Sequence, residues 1–358
     1  MADHGLVTIG FVGTGIMGAP IAGHLMDAGF PLVVSTRTPG KAQALLDRGA
    51  TWADTPGDVA ERADVVLTMV GYPTDVEDVY LSSEGLLAHS RKGMWLIDLT
   101  TSSPRLAREI HDAAAVGDIH AFDCPVTGGQ AGAVAGTPTL IAGITAEEAK
   151  PVLPVLEAFS SRIFYFGRAG AGQTAKLCNQ VSLAGAMVGM AESMAIAEQS
   201  GIDVRTMLEM VSGGMGSSRA ITDLAPKALD GDWAPGVLSE HFLKDLGLAL
   251  AEGEDAELQL PGTETAFGLY DMICRTGGSK LGTQAIALCY QEEAANVAAG
   301  LDWSLLEEPE DDDEGCCCGH HHEGGECCGH HHEGSECCHH HHHENHARRA
   351  YGRNTTHQ

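Results

Sequence analysis

Basic residues are scarce in this chain. Lysine and arginine number 21 against 49 aspartates and glutamates, a formal net charge of −28. Such a polyanion is repelled by nucleic acid and by anionic lipid, so neither is an expected partner. Aromatic residues make up only 5%, yet the hydrophobic share of 44% is that of an ordinary globular protein. Uninterrupted apolar runs of membrane-spanning length are missing. The opening Met-Ala-Asp-His has no basic leader, and no cleavage site precedes the strand-like stretch from Leu6 to Val12. Cytoplasmic residence is the expectation.

Disulfide spacing is absent too. Cys124, Cys178, Cys274 and Cys289 are scattered through the body, where isolated thiols are expected to be small buried hydrophobes. The other cysteines crowd the C-terminal tail.

What is present is an alternation. Val7–Val12, Leu32–Ser35, Val65–Val70, Trp95–Leu99 and Phe122–Val126 read as strands, with helical patterns such as Lys41–Arg48 and Arg105–Ala114 between them. That order predicts a parallel sheet with helices on both faces. Thr139–Ala142 and Ile163–Phe166 read as two further strands. After Gly172 the pattern turns helical: Gln173–Gln199 is rich in Ala, Met and Leu and free of proline, and helical patterns continue to about Asn296. Met187, Met190 and Met194 recur at helical spacing and suit a core or a subunit contact. The fold class expected is α/β, a doubly wound parallel sheet of the Rossmann type, then an all-α domain and a disordered Cys/His-rich tail. The expected boundaries are 1–168 for the cofactor domain, 169–305 for a helical substrate and dimerisation domain, and 306–358 for the tail.

Gly13, Gly15 and Gly18 form a G-x-G-x-x-G pattern between the first strand and a helical stretch, with Ile16 and Met17 completing the turn. The first glycine permits the tight turn, the second lets a pyrophosphate approach the backbone, and the third lets helix and strand pack closely. An NAD-selective fold usually ends its second strand with Asp or Glu. Here the chain reads Val33-Val-Ser-Thr-Arg37-Thr38. Arg37 can pair with a 2′-phosphate, and Thr36 and Thr38 can add hydrogen bonds, so NADP(H) is the expected cofactor, with NAD possible.

Four segments, in order, resemble the β-hydroxyacid dehydrogenase family, which includes 3-hydroxyisobutyrate dehydrogenase and tartronate semialdehyde reductase. They are the run from Gly10 to Pro20, Asp123-Cys-Pro-Val-Thr-Gly-Gly129, Gly170-Ala-Gly-Gln-Thr-Ala-Lys-Leu-Cys-Asn179 and Lys244-Asp-Leu-Gly-Leu-Ala-Leu250. The resemblance runs from about Val7 to about Ala298. It implies that Lys176 supplies the proton to the developing alkoxide and, as a cation, stabilises the negative oxygen. Asn179, three residues on, would share its helical face and hold substrate or orient the lysine. Thr127, Gly128 and Gly129 match the family's carboxylate-binding Ser-Gly-Gly, with threonine narrowing the pocket. Lys244 matches a lysine near cofactor and substrate, Asp245 steadies that region, and Thr101 lies beside the nicotinamide ribose. Val70 falls where the family's Met-Leu-Pro lines the cofactor, although Met69-Val-Gly-Tyr-Pro73 departs from that pattern. His24, His89, His111, His120 and His241 show no ligand or triad spacing and are expected to be surface or packed residues. A small carboxylate substrate and a homodimer or homotetramer are implied. The alternatives are an imine reductase-like NADPH enzyme, or a metal buffer or chaperone working through the tail.

The tail repeats every ten residues. The pairs Cys317-Cys318, Cys327-Cys328 and Cys337-Cys338 alternate with His320, His321 and His322, then His330, His331 and His332, then His340, His341 and His342. Thiolate and imidazole suit Zn, Ni or Cu, in adaptable multi-ion binding apart from catalysis. The acidic run Glu307–Glu314 is expected to keep the linker extended. Truncation after Leu305 should leave NADPH turnover intact and remove most bound Zn²⁺ or Ni²⁺. Metal content after dialysis and turnover of both forms check this; loss of turnover, or a full metal load on the truncated form, would refute it.

Overall fold

A computed structural model of the chain describes residues 7–306. The acidic run, the Cys/His array and the expected disorder there lie outside these residues.

Six strands build the larger sheet: β1 Ile9–Val12, β2 Leu32–Ser35, β3 Thr51–Trp52, β4 Val65–Thr68, β5 Trp95–Asp98 and β6 His120–Asp123. All pair in parallel, in the order β3-β2-β1-β4-β5-β6. The strands are short apolar runs because both faces are covered. Successive residues feed opposite cores. Phe11, Val34, Leu67 and Ile97 pack on one side with Ile21 and Leu25, whereas Val12, Val33, Val66 and Leu96 pack on the other with Val59 and Tyr80. This is the Rossmann-type sheet expected from the alternation.

Three local expectations change. Phe122–Val126 is not one strand: it breaks at Cys124-Pro125, and β7 (Val126–Thr127) joins a separate sheet. Proline offers no amide to a ladder, so Pro125 marks the crossing; its carbonyl accepts from Ile141 N. β8 (Thr139–Ala142) and β9 (Arg162–Tyr165) complete that second sheet, β7-β8-β9, antiparallel and then parallel. Lys41–Arg48 contributes only a 3₁₀ turn, Pro39–Ala42, and one helical turn, Gln43–Leu46. The short strand β3 was not apparent from the sequence.

The helical half is entered through one helix, Ala171–Gln199. It ends in a left-handed glycine, Gly201, with Ile202 N bonded to Ala197 O at 2.9 Å. By length and mean composition this helix could cross a membrane, although polar residues such as Gln180, Ser182 and Glu192 interrupt its apolar run, as the sequence reading has it. Its packing makes it a core helix instead. Ala184, Met187, Met190 and Met194 pack with Phe242, Leu246, Leu269 and Tyr270, from the helices Ser239–Asp255 and Pro261–Arg275.

The start of the long helix is fastened to the sheet. Asp123, the last residue of β6, accepts from Gly170 N and Gln173 N at 2.7 Å each. Gly172 sits so close that a Cβ there would lie 2.4 Å from Ile141 O and 2.8 Å from Asp123 Oδ2. Gly172→Ala should therefore lower stability by about 2–4 kcal/mol, the range for forced overpacking with a damaged cap. A denaturant midpoint within error of wild type would contradict this account.

Candidate active site

Because all six strands run parallel, the segment after each of them leaves the same carboxyl edge of the larger sheet. In such sheets ligands bind beside the point where strand order reverses, here between β1 and β4.

The glycine pattern occupies that point. Gly13 has φ +98°, and a Cβ on it would lie 2.2 Å from Met69 O; one on Gly18 would lie 2.0 Å from Gly13 O. Gly15 has nothing within 4 Å of its Cβ position, so its backbone is open to a ligand. Ile16 is exposed and Met17 packs against the sheet core. The helix that follows, Gly18–Asp27, has neither a side-chain cap nor an acidic first turn. Thr14 Oγ1 is buried without a partner. An open loop, an uncapped helix start and an orphaned hydroxyl fit the pyrophosphate of a dinucleotide.

Beyond β2, Thr36 is half-buried and Thr38 exposed. Arg37 is ion-paired with Asp75, Nη1 to Oδ1 at 2.8 Å. Beyond β5, the loop bearing Thr101 is held from several sides. Asp98 accepts from Thr68 Oγ1 at 2.7 Å and from Thr100 N at 3.1 Å. Val70 N donates to Thr100 Oγ1 at 3.0 Å. Gln173 donates from Nε2 to Thr100 O at 2.7 Å and accepts at Oε1 from Ser102 N at 2.9 Å. Lys244 Nζ donates to Thr101 O at 2.5 Å.

Lys176 is 7% exposed, and among the described residues it makes no hydrogen bond or ion pair. Burial lowers its pKa, opposed by the Asp245 carboxylate and reinforced by the Lys244 cation. Asp245 pairs with Lys244 Nζ at 3.0 Å and accepts from Gln180 Nε2 at 2.7 Å. Asn179 is exposed and donates to Gln180 Oε1 at 2.8 Å; no bond joins it to Lys176. Thr127, Gly128 and Gly129 stand where β7 turns into a short helix, with Gly128 at φ +119° and Gly129 at φ +60°. No bond links them to Lys176, and a Cβ on Gly129 would approach Gly236 O at 3.5 Å.

Comparison with known proteins gives the family. Residues 8–167 match the family model described as the NAD binding domain of 6-phosphogluconate dehydrogenase. Residues 170–290 match that described as the NAD-binding domain of NADP-dependent 3-hydroxyisobutyrate dehydrogenase. A probable mitochondrial 3-hydroxyisobutyrate dehydrogenase-like protein of Arabidopsis thaliana is 41% identical over 79% of this chain and 85% of its own length. The chain belongs to the β-hydroxyacid dehydrogenase family. It is an oxidoreductase that uses a nicotinamide cofactor. An NAD-dependent L-serine dehydrogenase of Pseudomonas aeruginosa is 35% identical over 75% of this chain and 93% of its own length. Mycobacterium tuberculosis 3-hydroxyisobutyrate dehydrogenase, solved with L-serine, superposes with a TM-score of 0.74 at 29% identity, covering 80% of this chain and all of that one.

Several groups at this β-hydroxyacid dehydrogenase site escaped the sequence reading. Gln173 and Gln180 lie at i−3 and i+4 from Lys176, and helical spacing could have found both. Asp75 and Asp98 carried no local signal. Of the two alternatives expected for it, surface or packed, His241 takes the packed one: its ring meets Tyr72 edge-on at 6.0 Å, and burial lowers its pKa. Cys178, expected to be buried, is exposed; with Arg108, Arg168 and Glu252 it lines a cleft of about 880 Å³. Thr174 and Cys178 of the long helix line this cleft, and Lys176 does not.

Asp98 gives this site a pH signature. Burial raises its carboxyl from 3.8 to about 6, against the bonds from Thr68 and Thr100. A folded-state pKa above the unfolded one favours the protonated form, so this contribution is full below pH 3.8 and fades as pH rises through 6. Asp98→Asn should flatten the fall in unfolding free energy between those values. An unchanged slope across that window would exclude Asp98 as its source.

Proposed function

We propose that this dehydrogenase interconverts a short β-hydroxyacid and its semialdehyde with NADP(H), Lys176 serving as the general acid and base. The observation that carries the reading is the buried, unpaired Lys176 ammonium beside the Lys244–Asp245 pair. Its lowered pKa eases proton loss, and Asp245 keeps a charged form available. Thr127 to Gly129 would hold the substrate carboxylate, and Arg37 the 2′-phosphate. The cofactor, when bound, supplies or accepts the hydride. Lys176 Nζ gives a proton to the forming hydroxyl in reduction and takes it back in oxidation. Lys244 and Gln173 keep the Thr101 loop in place. A homodimer or homotetramer is proposed as the assembly, which would cover exposed apolar residues of the helical half such as Ile196, Met210 and Met215.

L-serine is a second candidate substrate, itself a β-hydroxyacid. The similarity to the Pseudomonas L-serine dehydrogenase favours testing it beside 3-hydroxyisobutyrate.

Oxidation should quicken as pH rises and Lys176 loses its proton, with an apparent pKa below the ordinary 10.5; reduction should slow over the same limb. Lys176→Ala should fold, bind cofactor and lose turnover by roughly 10²–10⁴-fold, the scale of general acid–base catalysis, together with that limb. Assays over short semialdehydes, 3-hydroxyisobutyrate and L-serine check both statements. A folded Lys176→Ala enzyme with wild-type turnover would end the assignment, and inertness toward every short β-hydroxyacid would end the substrate class.

A further inference from the structure

Arg37, the cation that would meet a 2′-phosphate, already has a partner. Its Nη1 lies 2.8 Å from Asp75 Oδ1, and its Nη2 donates to Asp75 Oδ2 at 3.4 Å. The two differ sharply in freedom, since the Arg37 side chain is 82% exposed and that of Asp75 only 15%. Asp75 stands in the first turn of the helix Pro73–Leu81, where its Oδ2 accepts from Tyr72 N at 3.1 Å. A carboxylate at a helix N-terminus is favoured there regardless of Arg37. The loop before it is tight as well: a Cβ on Gly71 would lie 3.2 Å from Asp75 Oδ2. Asp75 is thus the fixed member of the pair and Arg37 the movable one.

A 2′-phosphate that takes Arg37 must draw it off this carboxylate, or share the guanidinium with it at the cost of like charges side by side. A cofactor with a ribose hydroxyl at that position meets no such cost. We propose that Asp75 is a selectivity-determining residue, which by occupying Arg37 holds the preference for NADP(H) over NAD(H) below what the arginine alone would give. This rests on the reading of Arg37 as the phosphate-binding cation.

The test is equilibrium binding of NADP⁺ and NAD⁺ to the full chain by calorimetry, for wild type, Asp75→Asn, Arg37→Ala and the double variant. Asp75→Asn should raise the ratio of the NAD⁺ to the NADP⁺ dissociation constant by about two- to five-fold, the scale of an exposed ion pair. In the Arg37→Ala background the same change should leave the ratio where it was. A ratio unchanged or lowered by Asp75→Asn overturns the proposal, and so does an equal rise without Arg37, which would make Asp75 act by bare repulsion. If Arg37→Ala weakens both cofactors alike, the phosphate-cation reading itself fails, and that result is seen in the single variant before Asp75 enters. Asp75→Ser, which keeps a capping oxygen without the charge, serves as a second variant if the asparagine form melts early.

Discussion

One carboxylate joins the two halves of the site. Asp123 ends the last strand of the parallel sheet and caps the first turn of the long helix through Gly170 N and Gln173 N. Burial pushes its pKa up and those amides pull it down, so the cap is charge-assisted but not free of cost. Two glycines exist around it for want of room: a Cβ on Gly143 would lie 2.2 Å from Asp123 Oδ1, and one on Gly172 would lie 2.8 Å from Oδ2. Through this cap the sheet fixes where Gln173 and Lys176 begin their helix. Gln173 then reaches back to Thr100 and Ser102, closing a ring of bonds from sheet to helix to sheet.

What could be read from residues alone is what backbone geometry forces. The Gly13–Gly18 loop was legible because no other residue fits where a Cβ would meet Met69 O or Gly13 O. Strands β1, β2, β4 and β5 were legible because burial on both faces makes them largely apolar, whereas the two-residue, partly exposed β3 was not. The groups that escaped notice act across long sequence separations. Gln173 is 71 residues from Ser102, and Gln180 is 65 from Asp245. Polar residues inside an Ala/Met-rich helix look like solvated positions until the fold shows what lies opposite them. The break at Cys124-Pro125 was in principle readable, since proline does not sit in a central strand. Which sheet the chain entered afterwards was not, because register between strands depends on packing that no single strand encodes.

Charge is distributed against the average. In a chain with an excess of acids, Lys176 and Lys244 are drawn into the helical half and matched by a single carboxylate, Asp245. Arg37, beyond β2, is matched by Asp75. Lys244 and Arg37 therefore each have a protein anion beside them, whereas Lys176 is left without an ion pair among the described residues. That arrangement limits repulsion among the cations and makes affinity a competition between protein and ligand oxygens.

The long helix places Lys176 in its second turn and the methionines of the helical core in its later turns, without a break between. The consequence concerns recombination. A crossover between relatives at the apparent seam near Gly167–Gly170 would join a foreign capping aspartate and Thr100–Ser102 loop to a native Gln173. Such a chimera would inherit a complete glycine loop and a complete helical core, yet its lysine would be aimed by two parents at once. Cofactor domain and helical half are therefore not interchangeable cassettes in this architecture, because bonds at Asp123 and Gln173 tie one to the other.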